Sequence, residues 1–474
     1  MIRMTDKPRR VLLIVVDGGC YNFLEKYDMP HTKELIERGV SFRNAVAGHS
    51  FIETASGMAT ISTGADIGVH GIIASHEWYD SETGESVYSV DEYGRAVGLK
   101  APTFGDVVKD AHPGAVISSL SSKDRPAVLL AGHSPDTILY SYRERPGASD
   151  DRVFTGAGVT EEKYLLSERL EHEVPEYVKD LSLPRYVDWV GDGFSFPGID
   201  AAKTPRIDDF IADAALKLMK HQRPDVMCVG LVSTNIVGHY QPLDSPQMED
   251  SARVVDNHIG RLVAGLRETG MEEETLIAIT ADHAMTKIRC RVDIPRELRA
   301  MGRQDLEENI SYIVVGGTGG IYLKSNEKGD VDSIIEALST IDNVRGAWHK
   351  RDPEAPWFIK NVVCDHGPDI ILLPEYGGYF VAGHEQRAHM DDLMNQHGSP
   401  YNSDANIMMI LSGPGVEHLG SVGNPLDLSS EVPIGEEEAR ILPRQRDLAP
   451  TILGLLEMKL PGTVCGKPLP VHDQ

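Results

Sequence analysis

The chain has 474 residues, 41% of them hydrophobic. That is enough for one large α/β domain with a sizeable insertion, or for two ordinary domains, and it excludes a disordered chain. Its 46 Lys and Arg stand against 72 Asp and Glu, a formal charge of −26 that repels polyanions and excludes non-specific nucleic-acid binding. The five cysteines, Cys20, Cys228, Cys290, Cys364 and Cys465, show no Cys-x-x-Cys spacing, which argues against a disulfide framework or a thiolate zinc cage and suits a reducing compartment.

Taken in chain order, the elements begin with Val11 to Val16, a β-branched run without alternation that reads as a strand buried on both faces. Asp17 closes that strand and interrupts the apolar run before it reaches the length of a signal-peptide core. No later uncharged run approaches the length a bilayer needs, so a cytoplasmic chain with no membrane partner is expected. Ala55 to Thr63 is rich in small residues and can open a helix. From about 76 to 198 turn clusters such as DSETGES mix with short strands. Helices are predicted over Ile207 to His221 and Ser251 to Leu266, and buried strands over Asp225 to Val232, Thr275 to Thr280 and Ala405 to Leu411. Glycine-rich strand signals around a helix at Val331 to Leu338 mark 290–382 as an inserted cap, and a helix at Leu448 to Leu456 precedes the C-terminal loop. The alternation predicts an α/β fold with a mostly parallel sheet and helices on both faces, built from residues 1–289 and 383–474 with the cap between.

Ligands of such sheets bind beyond the carboxyl ends of the strands, and chemistry-bearing residues gather there. Asp17 ends the first strand, Asn235 and His239 follow the strand ending at Val232, Asp282 and His283 follow Thr280, and His397 precedes the strand starting at Ala405. Mixed carboxylates and imidazoles suit zinc or manganese. Asn235 and His239, four apart, point the same way on one helical turn. Thr54 stands where a helix starts, beside backbone N–H groups that bind a phosphoryl oxygen well, and its alternative role is a plain helix N-cap.

The ordered segments LLIVVDGG, ETASGMATISTG with VHGI, TNIVGHYQP, ITADHAM, QHGSP and RDLAPTILGLLEMKLPGTVCGKPL resemble the alkaline phosphatase superfamily, in the branch of nucleotide pyrophosphatase/phosphodiesterases and phosphonoacetate hydrolase. The resemblance runs from Asp17 to Leu469 and implies an alkaline phosphatase-like fold and a metal-dependent hydrolase acting at a phosphorus centre. It implies two divalent ions, zinc with manganese as the alternative. Asp17, Thr54, Asp282 and His283 would surround one ion, and Asn235, His239 and His397 the other. Thr54 would be the nucleophile and pass through a phosphothreonine intermediate. Asp447 matches a recurring position but reads as a helix cap.

Two positions depart from the family's pattern. Asn235 stands in place of an aspartate, so the second ion should bind more weakly, and Ser75 stands in place of an asparagine that contacts a phosphoryl oxygen. Asp244, shortly after His239, is the candidate to supply the missing carboxylate, with a solvated loop role as the preferred reading. The stretch SSKDRPAVLLAG resembles the lysine segment with which phosphonoacetate hydrolases hold the substrate carboxylate, which gives Lys123 and Arg125 to substrate. Two cations suit a small anionic substrate, a phosphonate or a phosphate ester. A nucleotide pyrophosphatase/phosphodiesterase would want an aromatic platform, for which Trp78, Tyr79 and Tyr240 are available. A catalytically degenerate metal- or ligand-binding protein is the reading from a different class, and a homodimer is open as the assembly.

Overall fold

The computed structural model of the chain describes residues 7–75, 77–80, 83–91, 94–142, 165–166, 208–381 and 393–472. About half of the stretch expected to be turn-rich, the first residue of the helix expected from Ile207, and the 383 boundary of the cap lie outside the described residues.

Among the described residues nine strands form the main sheet in the order Gly420–Val422, Gly39–Phe42, Met409–Ser412, Thr275–Thr280, Arg10–Val16, Val226–Leu231, Ile117–Lys123, Thr137–Tyr142 and Leu165–Leu166. The five from Thr275–Thr280 to Thr137–Tyr142 are mutually parallel. Every residue of Val226–Leu231 and Thr275–Thr280 is buried, and so is Arg10–Val16 after its first residue. Since side chains alternate faces along a strand, unbroken burial means that both faces are covered. Each buried Val, Leu or Ile contributes ~1.5–3 kcal/mol, which is why this unalternating run forms the middle of the sheet. The Pro246–Glu268 helix buries Met248, Ala252, Val255, Ile259, Leu262 and Leu266, a stripe at three- and four-residue spacing. It packs against the Asp209–His221 and Pro30–Glu37 helices.

The run from Ala405 to Leu411 differs from the expected strand. Asn402–Ala405 is a helical turn, and only Met409–Ser412 joins the sheet, antiparallel to Thr275–Thr280 and to Gly39–Phe42. Between them, Ile407 N–H donates to the Ala45 carbonyl and Met408 N–H to the Gly19 carbonyl, so these apolar residues are buried by loops rather than by strand neighbours. The reversal matters for the site: the beginning of an antiparallel strand lies at the same sheet edge as the carboxyl ends of its parallel neighbours.

A second, antiparallel sheet of four strands runs Ile310–Val314, Gly319–Leu323, Ile370–Pro374, Val344–His349. Its own apolar cluster, including Ile294, Leu298, Ile321, Ile334, Leu338, Leu372 and Phe380, is separate from the main core. Among the described residues no helix is long and apolar enough to cross a membrane.

Candidate active site

The turn after the first strand sets the site. Gly18 has φ +76°, the left-handed region that glycine enters without strain. A Cβ on it would sit 3.2 Å from the Asn235 backbone, so a glycine here lets the Asp17 loop close onto the Ser233–Tyr240 helix. Gly18 N–H donates to Asp282 Oδ1 at 3.2 Å and Thr234 Oγ donates to the Asp17 carbonyl at 2.5 Å. Three strand ends are thereby tied together.

Asp17, Asp282 and His283 are fully buried, with one ligand atom from each lying within 4.8 Å of the others. His283 Nε2 is 3.3 Å from Asp17 Oδ1 and 3.5 Å from Asp282 Oδ2. Asp17 Oδ1, Asp282 Oδ2, His283 Nε2 and Asn235 Oδ1 are all buried without a well-directed hydrogen bond. Orphaned buried polar atoms are costly, and the three from Asp17, Asp282 and His283 that converge at one place, all of them atoms that bind zinc or manganese, fit a divalent ion, while Asn235 Oδ1 is a fourth orphaned donor on the helix against which Gly18 closes. The histidines are oriented for the same purpose. Nδ1 of His239, His283 and His397 faces the carbonyl of Asn395, Ala284 and Ile52 at 3.1, 2.9 and 3.1 Å. Such a contact keeps the proton on Nδ1 and leaves the Nε2 lone pair as the ligand.

Electrostatics divide the cluster. Burial and the adjacent Asp17 charge push the Asp282 carboxyl up to about 7. Burial acts on Asp17 in the same direction, but the Lys123 ammonium and His283 more than offset it and hold Asp17 below the usual carboxylate range. Burial lowers His283 too, and there the two carboxylates win and raise it. His239 is drawn down to about 4 by burial and then by Lys123, and His397 well below its ordinary value by burial and then by His283. The His397 ring stacks on His283 with centroids 3.5 Å apart, a geometry that disfavours charging both.

Thr54 is the first residue of the Thr54–Thr63 helix, and Glu53, with extended backbone, occupies the cap position instead. The helix is pressed against the loop that carries Asp282: a Cβ on Gly57 would meet Asp282 Cβ at 2.8 Å and its carbonyl at 2.9 Å. Ala55 N–H donates to Ser75 Oγ at 3.1 Å, Ser75 N–H to Glu53 Oε2 at 2.7 Å, and Arg125 Nη1 to the Ser75 carbonyl at 2.6 Å. Ser75 therefore accepts from the amide beside Thr54, and Arg125 is anchored next to it. Lys123, 4% exposed, places Nζ 2.9 Å from Asp17 Oδ2.

All the metal-ligand and substrate candidates read from the sequence thus gather at one sheet edge. Asp244 is exposed on its loop. Asp447 precedes the Leu448–Leu455 helix, but its carboxylate accepts from the Arg444 and Lys467 amides rather than capping that helix. Trp78 is buried, and Tyr79 stacks on Tyr312 with centroids 5.8 Å apart, so both rings are engaged in packing. Sequence reasoning missed Glu53 and Gln445. Gln445 donates to the carbonyls of Ala281 and Asp282 and braces the ligand loop. Glu53 had one signal, a lone acid inside the small and apolar stretch SFIETASGMATIST.

The profile of the type I phosphodiesterase / nucleotide pyrophosphatase family matches residues 11–400. The alkaline phosphatase PhoD of Zymomonas mobilis is 27% identical over 52% of this chain, a match that spans only 48% of that protein. The alkaline phosphatase PafA of Elizabethkingia meningoseptica is 23% identical over 98% of this chain and 94% of its own. The crystal structure of PafA superposes with TM-score 0.74 at 20% identity, covering 98% and 99% of the two chains. Phosphonoacetate hydrolase from Sinorhizobium meliloti, in complex with phosphonoformate, superposes at 0.61 with 18% identity over 96% and 97%.

Proposed function

Because the chain belongs to the type I phosphodiesterase / nucleotide pyrophosphatase family of the alkaline phosphatase superfamily, a group of phosphoric ester hydrolases, we propose that it is a metal-dependent phosphate monoester hydrolase with Thr54 as nucleophile. The observation that carries this reading is the convergence of three orphaned buried polar atoms, from Asp17, Asp282 and His283, with the buried cation Lys123 beside the helix that Thr54 begins. Asp17, Thr54, Asp282 and His283 would hold one divalent ion, and Asn235, His239 and His397 a second, zinc being favoured by the imidazole share and manganese also accommodated. Bound there, such ions lower the pKa of the Thr54 hydroxyl and screen charge on the phosphoryl oxygens.

The chain's own residues do the rest. Thr54 Oγ attacks phosphorus, the new Oγ–P bond forms as the ester P–O bond breaks, and the alcohol leaves with a proton. Water then cleaves the phosphothreonine, releasing phosphate and restoring the hydroxyl. Lys123 and Arg125, both buried, meet the two negative charges of a monoester, whereas a diester carries only one. The Ser75 contact with Ala55 N–H fixes the loop beside the nucleophile. A phosphonate bearing a carboxylate is a dianion too and is the second reading, supported by the same two cations. The 290–382 segment is read as a cap subdomain, which the parallel pairing of Cys290–Asp293 with Gly378–Val381 supports at its two ends. Five unpaired cysteines support a reducing compartment, the cytoplasm.

The test is a panel of an aryl phosphate monoester, an aryl phosphodiester and phosphonoacetate, each with added zinc or manganese. The monoester should turn over fastest, and Thr54→Ala should lose at least ~10³-fold. A preference for the diester overturns the substrate class. Silence on all three with ions bound favours a catalytically degenerate binding protein.

A further inference from the structure

We propose, resting on the active-site reading above, that the second ion of this protein is recruited by the substrate: the Asn235, His239 and His397 half takes up its cation together with a phosphate dianion, not before it. The two halves of the site differ in charge. Asp17 and Asp282 supply two carboxylates for the first ion, partly balanced by Lys123 at 2.9 Å from Asp17. The other half offers an amide and two imidazoles, with no anion of its own. Its orphaned buried Asn235 Oδ1 and the Nδ1 contacts of His239 and His397 still present a donor set.

A cation entering that half first gains little from Asp17, whose charge the Lys123 ammonium balances at 2.9 Å, and meets repulsion from an ion on Asp17 and Asp282. Asp244, five residues after His239, is exposed on its loop, and buried Asp404, seven residues after His397, is engaged by Ser399 and Thr286, so neither compensates. A phosphate dianion would supply the missing negative charge. By linkage, phosphate must then tighten the ion as much as the ion tightens phosphate, a coupling that commonly reaches ~5–150-fold. Asn235 thus turns a resident cofactor site into a substrate-gated one.

Equilibrium dialysis of the full, chelator-stripped chain against buffered zinc, below the concentrations that precipitate zinc phosphate, reads this without any activity. One tight ion per chain is expected without inorganic phosphate, and a second that binds at least ~10-fold more tightly with it. Asn235→Asp should bind the second ion without phosphate. His397→Ala should keep the first ion and lose the phosphate-recruited one, which serves if the aspartate variant folds poorly. Two ions of matching affinity in the absence of phosphate, or a second ion that phosphate does not tighten, overturns the recruitment while leaving the active-site reading intact. No bound ion under any condition overturns both.

Discussion

Replacing Lys123 by methionine should destabilise the chelated protein and spare the zinc-loaded one. Lys123 is 4% exposed and Asp17 0%, and their 2.9 Å contact holds a carboxylate that burial alone would neutralise. Removing one partner of a buried ion pair costs ~3–5 kcal/mol, because the other charge is left uncompensated. His283 Nε2, 3.3 Å from the other Asp17 oxygen, softens this, which sets the expected loss in chelator at about 3 kcal/mol. With zinc bound to Asp17, the ion supplies the missing cation and the loss should fall below ~1 kcal/mol. The first ion should also bind more tightly to the variant, since no ammonium competes for Asp17. Urea denaturation with chelator and with zinc measures both losses. Equal losses in the two states, or a loss below ~1 kcal/mol in chelator, would refute the claim that Lys123 and the ion neutralise the same carboxylate.

Thr54→Ala should leave folding stability within ~0.5 kcal/mol of the parent, because Glu53 holds the cap position, and a loss of ~1 kcal/mol or more in urea would return Thr54 to the role of a cap. Gly57→Ala places a Cβ 2.8 Å from Asp282 Cβ, so the helix and the ligand loop must part. Overpacking costs ~1–3 kcal/mol against ~1 kcal/mol regained in helix propensity, and turnover should drop ~10²-fold from the displaced nucleophile. Unchanged kcat would show that the close packing has no catalytic role. Asp282 is raised from 3.8 to about 7, so the folded chelated protein binds a proton that the unfolded chain has released between those values. Its contribution to stability is therefore present below about pH 4 and lost as pH rises through about 7. Buried His239 and His397 titrate with the opposite sign, so the difference in urea midpoint between the parent and Asp282→Asn isolates the effect. The parent should lose ground to Asp282→Asn as pH rises from about 4 to about 7, and a parent that gains on the variant over that range would contradict it.

The central parallel strands and the gathering of the candidate ligands at their ends were legible because unalternating β-branched runs leave few other readings, and each run ends in a polar loop. The Ile117–Lys123 strand was not, although it lies within the sheet. Its sequence ISSLSSK looks like a loop, yet all seven residues are buried. Ser118 and Ser122 satisfy their hydroxyls on Gln222 and Asp208, partners that no local pattern announces. For the same reason Lys123, at the end of that strand, read only as a substrate contact, and its pairing with Asp17, 106 residues away, emerged only from the fold. The antiparallel turn of Met409–Ser412 was also hidden, since a buried apolar run carries no sign of its direction.

The nucleophile is the central claim, and acid-quenched turnover of a phosphate monoester, followed by mass spectrometry of the Thr54 peptide, tests it most directly. Phosphate should be found on Thr54 and on no other residue of that peptide, and should disappear in Thr54→Ala. Full-rate hydrolysis by Thr54→Ala, or a trapped phosphate on Ser56 in its place, would contradict the account.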